Sequence, residues 1–247
     1  MKVVAMIPAR YASTRFPGKM LKKLGDKTVI AQTYEAAVNS SLFDEVYVVT
    51  DSKEIAKEIR RMKGKALISK KEHACGTDRI AEFAGRIDAD IFINIQGDEP
   101  FIKKEQLQPL IDVFEKDKDK KIDIASLMFK TFDYDEFINP NNVKVVITKE
   151  EIALYFSRAP IPYPRDDEFD YAYKHIGVYA FRKKTLMQIA KLPQTKIEQI
   201  EKLENLRFLE YGFRIKMVKT KLVNFGIDTP EDLEYANTYL NKMKDQI

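Results

Sequence analysis

A chain of 247 residues is long enough for one large domain or two small ones, and it can bury most of its apolar surface. Hydrophobic residues make up 45% and charged residues 32%, as in soluble globular proteins, and a net charge of +4 gives no footprint for nucleic acid. The one cysteine, Cys75, excludes an internal disulfide framework. The opening MKVVAMIPAR lacks the apolar core and cleavage site of a signal peptide, and no run approaches the roughly 18 apolar residues of a membrane span. A cytoplasmic protein without a membrane partner is expected.

Residues 3–7 are a short apolar run closing at Pro8, as in a buried strand. A polar loop, ARYASTRFPGK, follows, and Ile30, Tyr34, Ala37 and Val38 then recur at helical spacing. Residues 46–49 form the next strand, ending in Thr50 and Asp51; Asp51 or Ser52 caps a helix with Ile55, Ala56 and Ile59 on one face. Residues 65–68 are a weaker strand, 78–87 a helix, 91–95 a strand ending at Gln96-Gly97-Asp98, and 106–114 a helix. The run EKDKDKK at 115–121 is a solvated turn. Strands alternating with helices imply a mostly parallel sheet, whose ligand crevice lies beyond the strands' carboxyl ends. Residues 8–19, Thr50-Asp51 and 96–100 sit at such ends, so chain order predicts that they converge.

The second half is less regular. Residues 124–129, 143–147 and 153–156 have strand character, the last two joined by a polar turn at 148–151. Residues 159–174, rich in Pro, Asp and Tyr, are an excursion before a strand at 175–181. Leu203, Leu206 and Leu209 lie on one helical face, with Glu198 four residues before Lys202. A strand at 214–218 precedes Asp228-Thr229-Pro230-Glu231, which opens the last helix with a capping residue, a proline and an early acid.

The loop after the first strand carries Arg10, Arg15 and Lys19, with Ser13, Thr14 and Gly18 between them. Arginine forks and a lysine point charge bind phosphate oxygens, and small residues let backbone N–H groups approach an anion. The spacing is neither a Walker A loop nor G-x-G-x-x-G, and a solvated basic loop is the plain alternative. Asp98, at a strand end facing that loop, stands where a Mg²⁺ ligand belongs. Asp228 is the second carboxylate of interest; its position also suits a helix cap, and one carboxylate can serve both roles. In Cys75-Gly76-Thr77-Asp78-Arg79 the glycine gives a sharp turn, and Arg79 sits against the helix dipole, which hints at an anionic ligand. Cys75 has no obvious partner base, and no His/Cys cluster has zinc spacing. Arg158, His175, Tyr179 and Glu204 form a fourth group suited to an acidic sugar, with His175 equally readable as structural.

In order, IPARYASTRFPGK, CGTDR, INIQGDEP, NPNNVKVV, ALYFSRAPIPYPR, KHIGVYAFR, EKLENLR and GIDTPEDL resemble the motifs of bacterial CMP-Kdo synthetases, the 3-deoxy-manno-octulosonate cytidylyltransferases. The resemblance implies an α/β nucleotide-diphospho-sugar transferase fold: a single domain with a mixed, mostly parallel sheet between helices. Residues 1 to about 120 would form its nucleotide-binding half, and residues from about 121 to 247 its sugar-binding and dimerisation half. It implies a homodimer that converts CTP and 3-deoxy-D-manno-octulosonate (Kdo) into CMP-Kdo and pyrophosphate, activating Kdo for lipopolysaccharide synthesis. By the same resemblance Ala9 contacts the nucleotide, and Arg10, Ser13, Thr14, Arg15 and Lys19 form the CTP-phosphate loop. Cys75, Gly76 and Arg79 contact the nucleotide, and Gln96 serves both substrates. Asp98 and Asp228 hold Mg²⁺, and Arg158, His175, Tyr179 and Glu204 line the sugar pocket. Many members have serine at the position of Cys75; both residues are small. Lys19 and Arg15 are expected to stabilise the departing pyrophosphate, Asp98 and Asp228 to bind the metal during catalysis, and Arg158 to pair with the sugar carboxylate. No general base is identifiable. An 8-amino Kdo analogue or another acidic sugar is the alternative substrate, and a nucleotide-sensing protein the non-enzymatic alternative. A glycosyltransferase would typically show D-x-D at the strand end of 91–95, and a dinucleotide oxidoreductase its glycine-rich turn after strand one; neither is present.

Overall fold

The structure, a computed structural model, describes residues 1–12, 16–166, 168–222 and 225–244. In chain order the elements are β1 (Val3–Ala9), β2 (Lys23–Leu24), β3 (Lys27–Thr28), α1 (Val29–Asn39), β4 (Glu45–Thr50), α2 (Lys53–Arg61), β5 (Lys65–Ile68), α3 (Gly76–Ala84), β6 (Ile91–Asn94) and α4 (Lys104–Lys116). There follow β7 (Ile124–Thr131), α5 (Tyr134–Ile138), β8 (Lys144–Ile147), β9 (Ala153–Ser157), β10 (Ala172–Arg182), α6 (Lys183–Ile189), α7 (Lys196–Glu201), α8 (Glu204–Glu210), β11 (Ile215–Thr220) and α9 (Pro230–Lys244). They fall into two compact units, Met1–Leu107 with Asn224–Ile247, and Gln108–Val223.

In the first unit β1 pairs in parallel with β4 on one side and β6 on the other, and β4 pairs in parallel with β5. All of β1 is buried, the continuous apolar character of a central parallel strand. The register sets Ala9 beside Thr50 and Thr50 beside Ile68, so β1, β4 and β5 end together, while β6 ends at Asn94 beside Met6. The polar segments that follow them are thereby gathered at one edge, as the alternation of strands and helices predicts. Ser52 is the residue that caps α2, its Oγ accepting from Ile55 N at 3.2 Å, which leaves Asp51 for other partners.

Gly97 lies close over β1: a Cβ there would stand 3.0 Å from Pro8 O and 3.2 Å from both Ile30 Cδ1 and Met20 Cε. Thr33 Oγ1 donates to Gly97 O at 2.9 Å. The turn that carries Asp98 is thus seated on the first strand by backbone approach, which a side chain would crowd.

The chain returns to this unit at α9. Ile227 and Ala236 are buried with Phe16, Leu24 and Val29, and Phe101, Phe225, Leu233 and Leu240 pack against them. Ile227 N donates to Asp98 O at 3.0 Å. Apolar burial and one main-chain bond therefore place the residue after Ile227 beside the 96–98 turn.

The second unit is mixed. β7 pairs antiparallel with β10 and parallel with β11, and β8 joins β10 to β9 by antiparallel pairing. The expected hairpin between β8 and β9 is closed by Thr148 N donating to Ile152 O at 2.8 Å, with Glu151 at φ 59°. Leu206 and Leu209 lie in α8 with Leu203 at its N-cap, as their spacing predicts, and Lys202, at φ 55°, ψ 45°, ends α7 before them. Glu198 does not face Lys202: it forms a capping box with Thr195, and its Oε2 lies 3.4 Å from Arg207 Nε. Among the described residues no helix is long and apolar enough to cross a membrane.

Candidate active site

At the gathered strand ends of the first unit, Gly18 takes φ 68°, and the short 3₁₀ turn Lys19–Leu21 follows it. Lys19 is buried, and its Nζ donates to Asp98 Oδ2 at 2.5 Å and to Asp228 Oδ1 at 2.8 Å. Burial pushes the lysine pKa down, but the Asp98 charge and hydrogen bonds to both carboxylates outweigh it and hold the ammonium above its ordinary value. Two carboxylates from distant segments thus converge on one nitrogen, as a shared cation site requires.

Asp228 is not the cap of the last helix. Thr229 Oγ1 accepts from Asp232 N at 3.2 Å, while the Asp232 carboxylate accepts from Asp228 N and Thr229 N, both at 2.9 Å. The capping falls to Thr229 because Pro230 is the first helical residue, and the Asp228 side chain is turned to Lys19.

Glu99, next to Asp98, carries the second perturbed charge. Burial, then the charges of Asp98 and Asp228, raise its pKa to about 8 against the opposing pull of Lys19, so it is largely protonated at neutral pH. Its Oε2 is buried without a hydrogen-bond partner among the described residues. Sequence reading passed over Glu99 because only the fold reveals its burial.

Arg79, in the first turn of α3, is buried, and its Nη2 donates to Asp51 Oδ2 at 2.9 Å. Asp51 Oδ1 also accepts from Tyr11 N at 3.2 Å, tying the phosphate-loop segment to the end of β4. The unfavourable cation at the helix start is therefore answered by Asp51, while Arg79 Nη1 is buried with no hydrogen-bond partner among the described residues. Cys75 occupies the N-cap position of α3 in an extended conformation and makes no side-chain cap bond. Gly76 is packed so that a Cβ would lie 3.1 Å from Pro8 Cγ and 3.6 Å from Gln96 Oε1. Gln96 Nε2 reaches Asn94 Oδ1 at 3.4 Å. Ala9 is buried at the end of β1 and Arg10 is exposed directly after it. Ser13, Thr14 and Arg15, expected on the phosphates, lie outside the described residues.

Among the described residues no group of three or more His, Cys, Asp or Glu side chains is arranged to hold a metal ion. Asp98 and Asp228 nevertheless suit Mg²⁺, which typically takes one or two carboxylates and completes its shell with phosphate oxygens and water.

The residues expected around a sugar belong to the second unit. Arg158 Nε donates to Glu201 O at 2.8 Å and Nη1 to Pro140 O at 3.0 Å, and its backbone N–H donates to Glu201 Oε2 at 3.0 Å. Lys144, fully buried, donates to three carbonyls: Asn139 O at 2.9 Å, Asn142 O at 2.6 Å and Arg158 O at 2.6 Å. His175 lies in β10 with its Nε2 2.9 Å from Ser126 Oγ. Ser126 gives its own hydrogen to Val178 O at 2.9 Å, so Nε2 carries the hydrogen of the imidazole contact. Tyr179 is buried against Phe181 and Phe208, and Glu204 stands in the first turn of α8. A cavity of about 660 Å³ elsewhere in this unit, walled by Pro109, Val113 and Val218 with a charged rim, includes none of these residues.

His175 is walled by Phe156 at 5.0 Å, Tyr179 at 5.4 Å and the buried Ser126, and desolvation pushes its pKa down to about 3. It is a neutral imidazole at physiological pH. Because the folded pKa is depressed, the stability it brings is present above about pH 6.5 and is lost as the pH falls toward about 3. Acid-titrated denaturant unfolding should show a loss on the order of 1–3 kcal/mol across that window, and His175→Phe should flatten the slope. An unchanged slope in the variant refutes the assignment.

A family model described as cytidylyltransferase matches residues 4–218. The chain is 56% identical over 241 residues to the 3-deoxy-manno-octulosonate cytidylyltransferase of Christiangramia forsetii, covering 97% of each chain. It is also 56% identical to that of Flavobacterium johnsoniae, covering 97% of this chain and 99% of the relative. Its fold superposes with a TM-score of 0.93, at 37% identity, on the solved structure of a CMP:2-keto-3-deoxy-manno-octonic acid synthetase complexed with CTP, covering 98% of this chain and 100% of that one.

Proposed function

The chain belongs to the 3-deoxy-manno-octulosonate cytidylyltransferase family, and we propose that its first unit holds CTP and magnesium through the Lys19, Asp98 and Asp228 cluster. The enzyme transfers CMP from CTP to Kdo, giving CMP-Kdo and pyrophosphate, and so activates Kdo for lipopolysaccharide biosynthesis. The observation that carries the site is the convergence of Asp98 and Asp228 on one ammonium.

In the reaction the anomeric hydroxyl oxygen forms a bond to the α-phosphorus of CTP. The bond from that phosphorus to the β-phosphate oxygen breaks, pyrophosphate leaves with the electron pair, and the hydroxyl proton passes to solvent. Such a transfer depends on positioning and on charge stabilisation more than on covalent chemistry by the protein. Asp98 and Asp228 would hold the magnesium ion, which when bound neutralises phosphate charge and acidifies the attacking hydroxyl. Lys19 exchanges its carboxylate partners for phosphate oxygens and offsets the charge of the leaving group. Glu99, whose carboxyl is pushed up to about 8 by burial and by the two aspartates, adds little negative charge to the cluster at neutral pH. The turn of Cys75 and Gly76 presents backbone to the nucleotide, and the Nη1 of Arg79 supplies a buried donor. Arg15, Ser13 and Thr14 complete the phosphate contacts in this reading.

Pyrophosphate release from CTP and Kdo tests the assignment. Asp98→Asn should lose at least about a hundredfold in kcat with Mg²⁺ while its melting temperature is maintained. Near-normal turnover removes Asp98 from metal binding.

For the acid sugar, Arg158 retains Nη2 after its bonds to Glu201 and Pro140, and we assign that nitrogen to the carboxylate. Arg158→Ala should raise KM for Kdo about tenfold or more and KM for CTP far less. The opposite ordering assigns Arg158 to the fold or the nucleotide.

We also propose that the enzyme is a homodimer built through its second unit. Phe132, Leu154 and Tyr163 are 67%, 59% and 78% exposed there, which supports an apolar contact. Light scattering should return twice the 28.7 kDa chain mass, and a monomeric mass discards the proposal.

A further inference from the structure

A closed polar cluster in the first unit stands apart from the groups placed above. Ser69 follows β5, His73 lies in the loop after it, and Glu82 projects from α3. Ser69 Oγ donates to Glu82 Oε2 at 2.5 Å, His73 Nε2 lies 2.9 Å from the same oxygen, and Ser69 Oγ and His73 Nε2 are 3.1 Å apart. Ser69 is buried, and the side chains of His73 and Glu82 are only 10% and 20% exposed. Burial pushes the Glu82 carboxyl up, but the hydrogen bonds from Ser69 and His73 outweigh it and hold it below the ordinary range.

These residue types are those of a nucleophile, base and acid, yet the geometry denies that role. In a relay the imidazole stands between acid and hydroxyl and uses a different nitrogen for each. Here hydroxyl and Nε2 meet one carboxylate oxygen, so the serine hydrogen goes to Glu82 and no base is left to activate Oγ. The cluster is a tie.

What it fastens is the segment that hands the chain from β5 to Cys75. Ser69 N donates to Thr50 O at 2.8 Å, anchoring the segment to the end of β4. Glu82 and Arg79 are three residues apart on α3 and so share a helical face, and Arg79 is held to Asp51, next to Thr50. The helix is therefore pinned at two points to the end of β4, directly and through the 69–73 loop. The Cys75–Gly76 turn lies at the start of that helix, with Gly76 against Pro8.

We infer that Ser69, His73 and Glu82 are positioning residues that hold the Cys75–Gly76 turn ready for the nucleotide. The inference rests on the reading of that turn as the nucleotide contact. A slack loop must be ordered when CTP binds, and that cost falls on nucleotide affinity, not on the chemical step.

Steady-state kinetics of the full chain test this. His73→Leu and Glu82→Leu should raise KM for CTP about tenfold while kcat and KM for Kdo stay within about twofold. His73→Gln, whose side-chain amide retains an N–H near the position of Nε2, should recover KM for CTP to within about threefold of the parent. If the leucine variants do not fold, Ser69→Ala should still raise KM for CTP about threefold. An unmoved KM for CTP in the folded variants overturns the inference, as does a fall in kcat with both KM values unchanged. Arg79→Lys, run in parallel, separates the two readings. A raised KM for CTP in Arg79→Lys with none in the cluster variants defeats the positioning role alone; no rise in Arg79→Lys defeats the reading of the turn as well.

Discussion

The ammonium of Lys19 sits where two carboxylates would otherwise repel each other. Asp98 and Asp228 are brought together by apolar packing and by a main-chain bond, and neither force depends on their charges. Removing the cation would leave two partly buried like charges facing, an expensive arrangement in a site of low dielectric. Much of the surrounding chemistry follows from that balance. Glu99, beside the pair, has its carboxyl pushed up first by burial and then by the two aspartate charges. Ionised, it would add a third negative charge to a cluster with one lysine.

A cation held this way is exchangeable in kind. The pair of acids fixes a need for positive charge at one point, and a lysine or a divalent metal can meet it. On the proposed assignment, a triphosphate would offer Lys19 alternative partners, and a divalent metal would take its place between the acids. The exchange would swap one positive charge for another and leave untouched the apolar packing that brings the two acids together.

The parallel strands of the first unit were legible because each is a short apolar run closed by polar or capping residues. Their shared direction follows from that alternation, and so does the place of Asp98 just beyond a strand end. Asp228 was half legible: its neighbours announced a helix start, but which residue caps it turned on the position of Pro230 and on the reach of Asp232. Glu99 and the Ser69–His73–Glu82 tie were illegible because their character comes from partners 9 to 13 residues away or from burial that no local pattern encodes. In the second unit the leucine spacing announced α8, but not the left-handed Lys202 that separates it from α7. The motif order identified the family where periodicity could not, since it samples the whole chain at once.

Lys19 and Asp228 are 209 positions apart, and the second unit lies between their two segments of the first. The cation pair is therefore among the longest-range contacts in the chain, formed only after a large loop has closed. Closing a loop of that length costs chain entropy before the contact repays it. The strands β1, β4 and β6 lie wholly on one side of that loop, and the second acid on the other. On the proposed assignment, competence toward nucleotide and metal would therefore need both ends of the chain in place, so a truncation before Asp228 would keep those strands and lose the site.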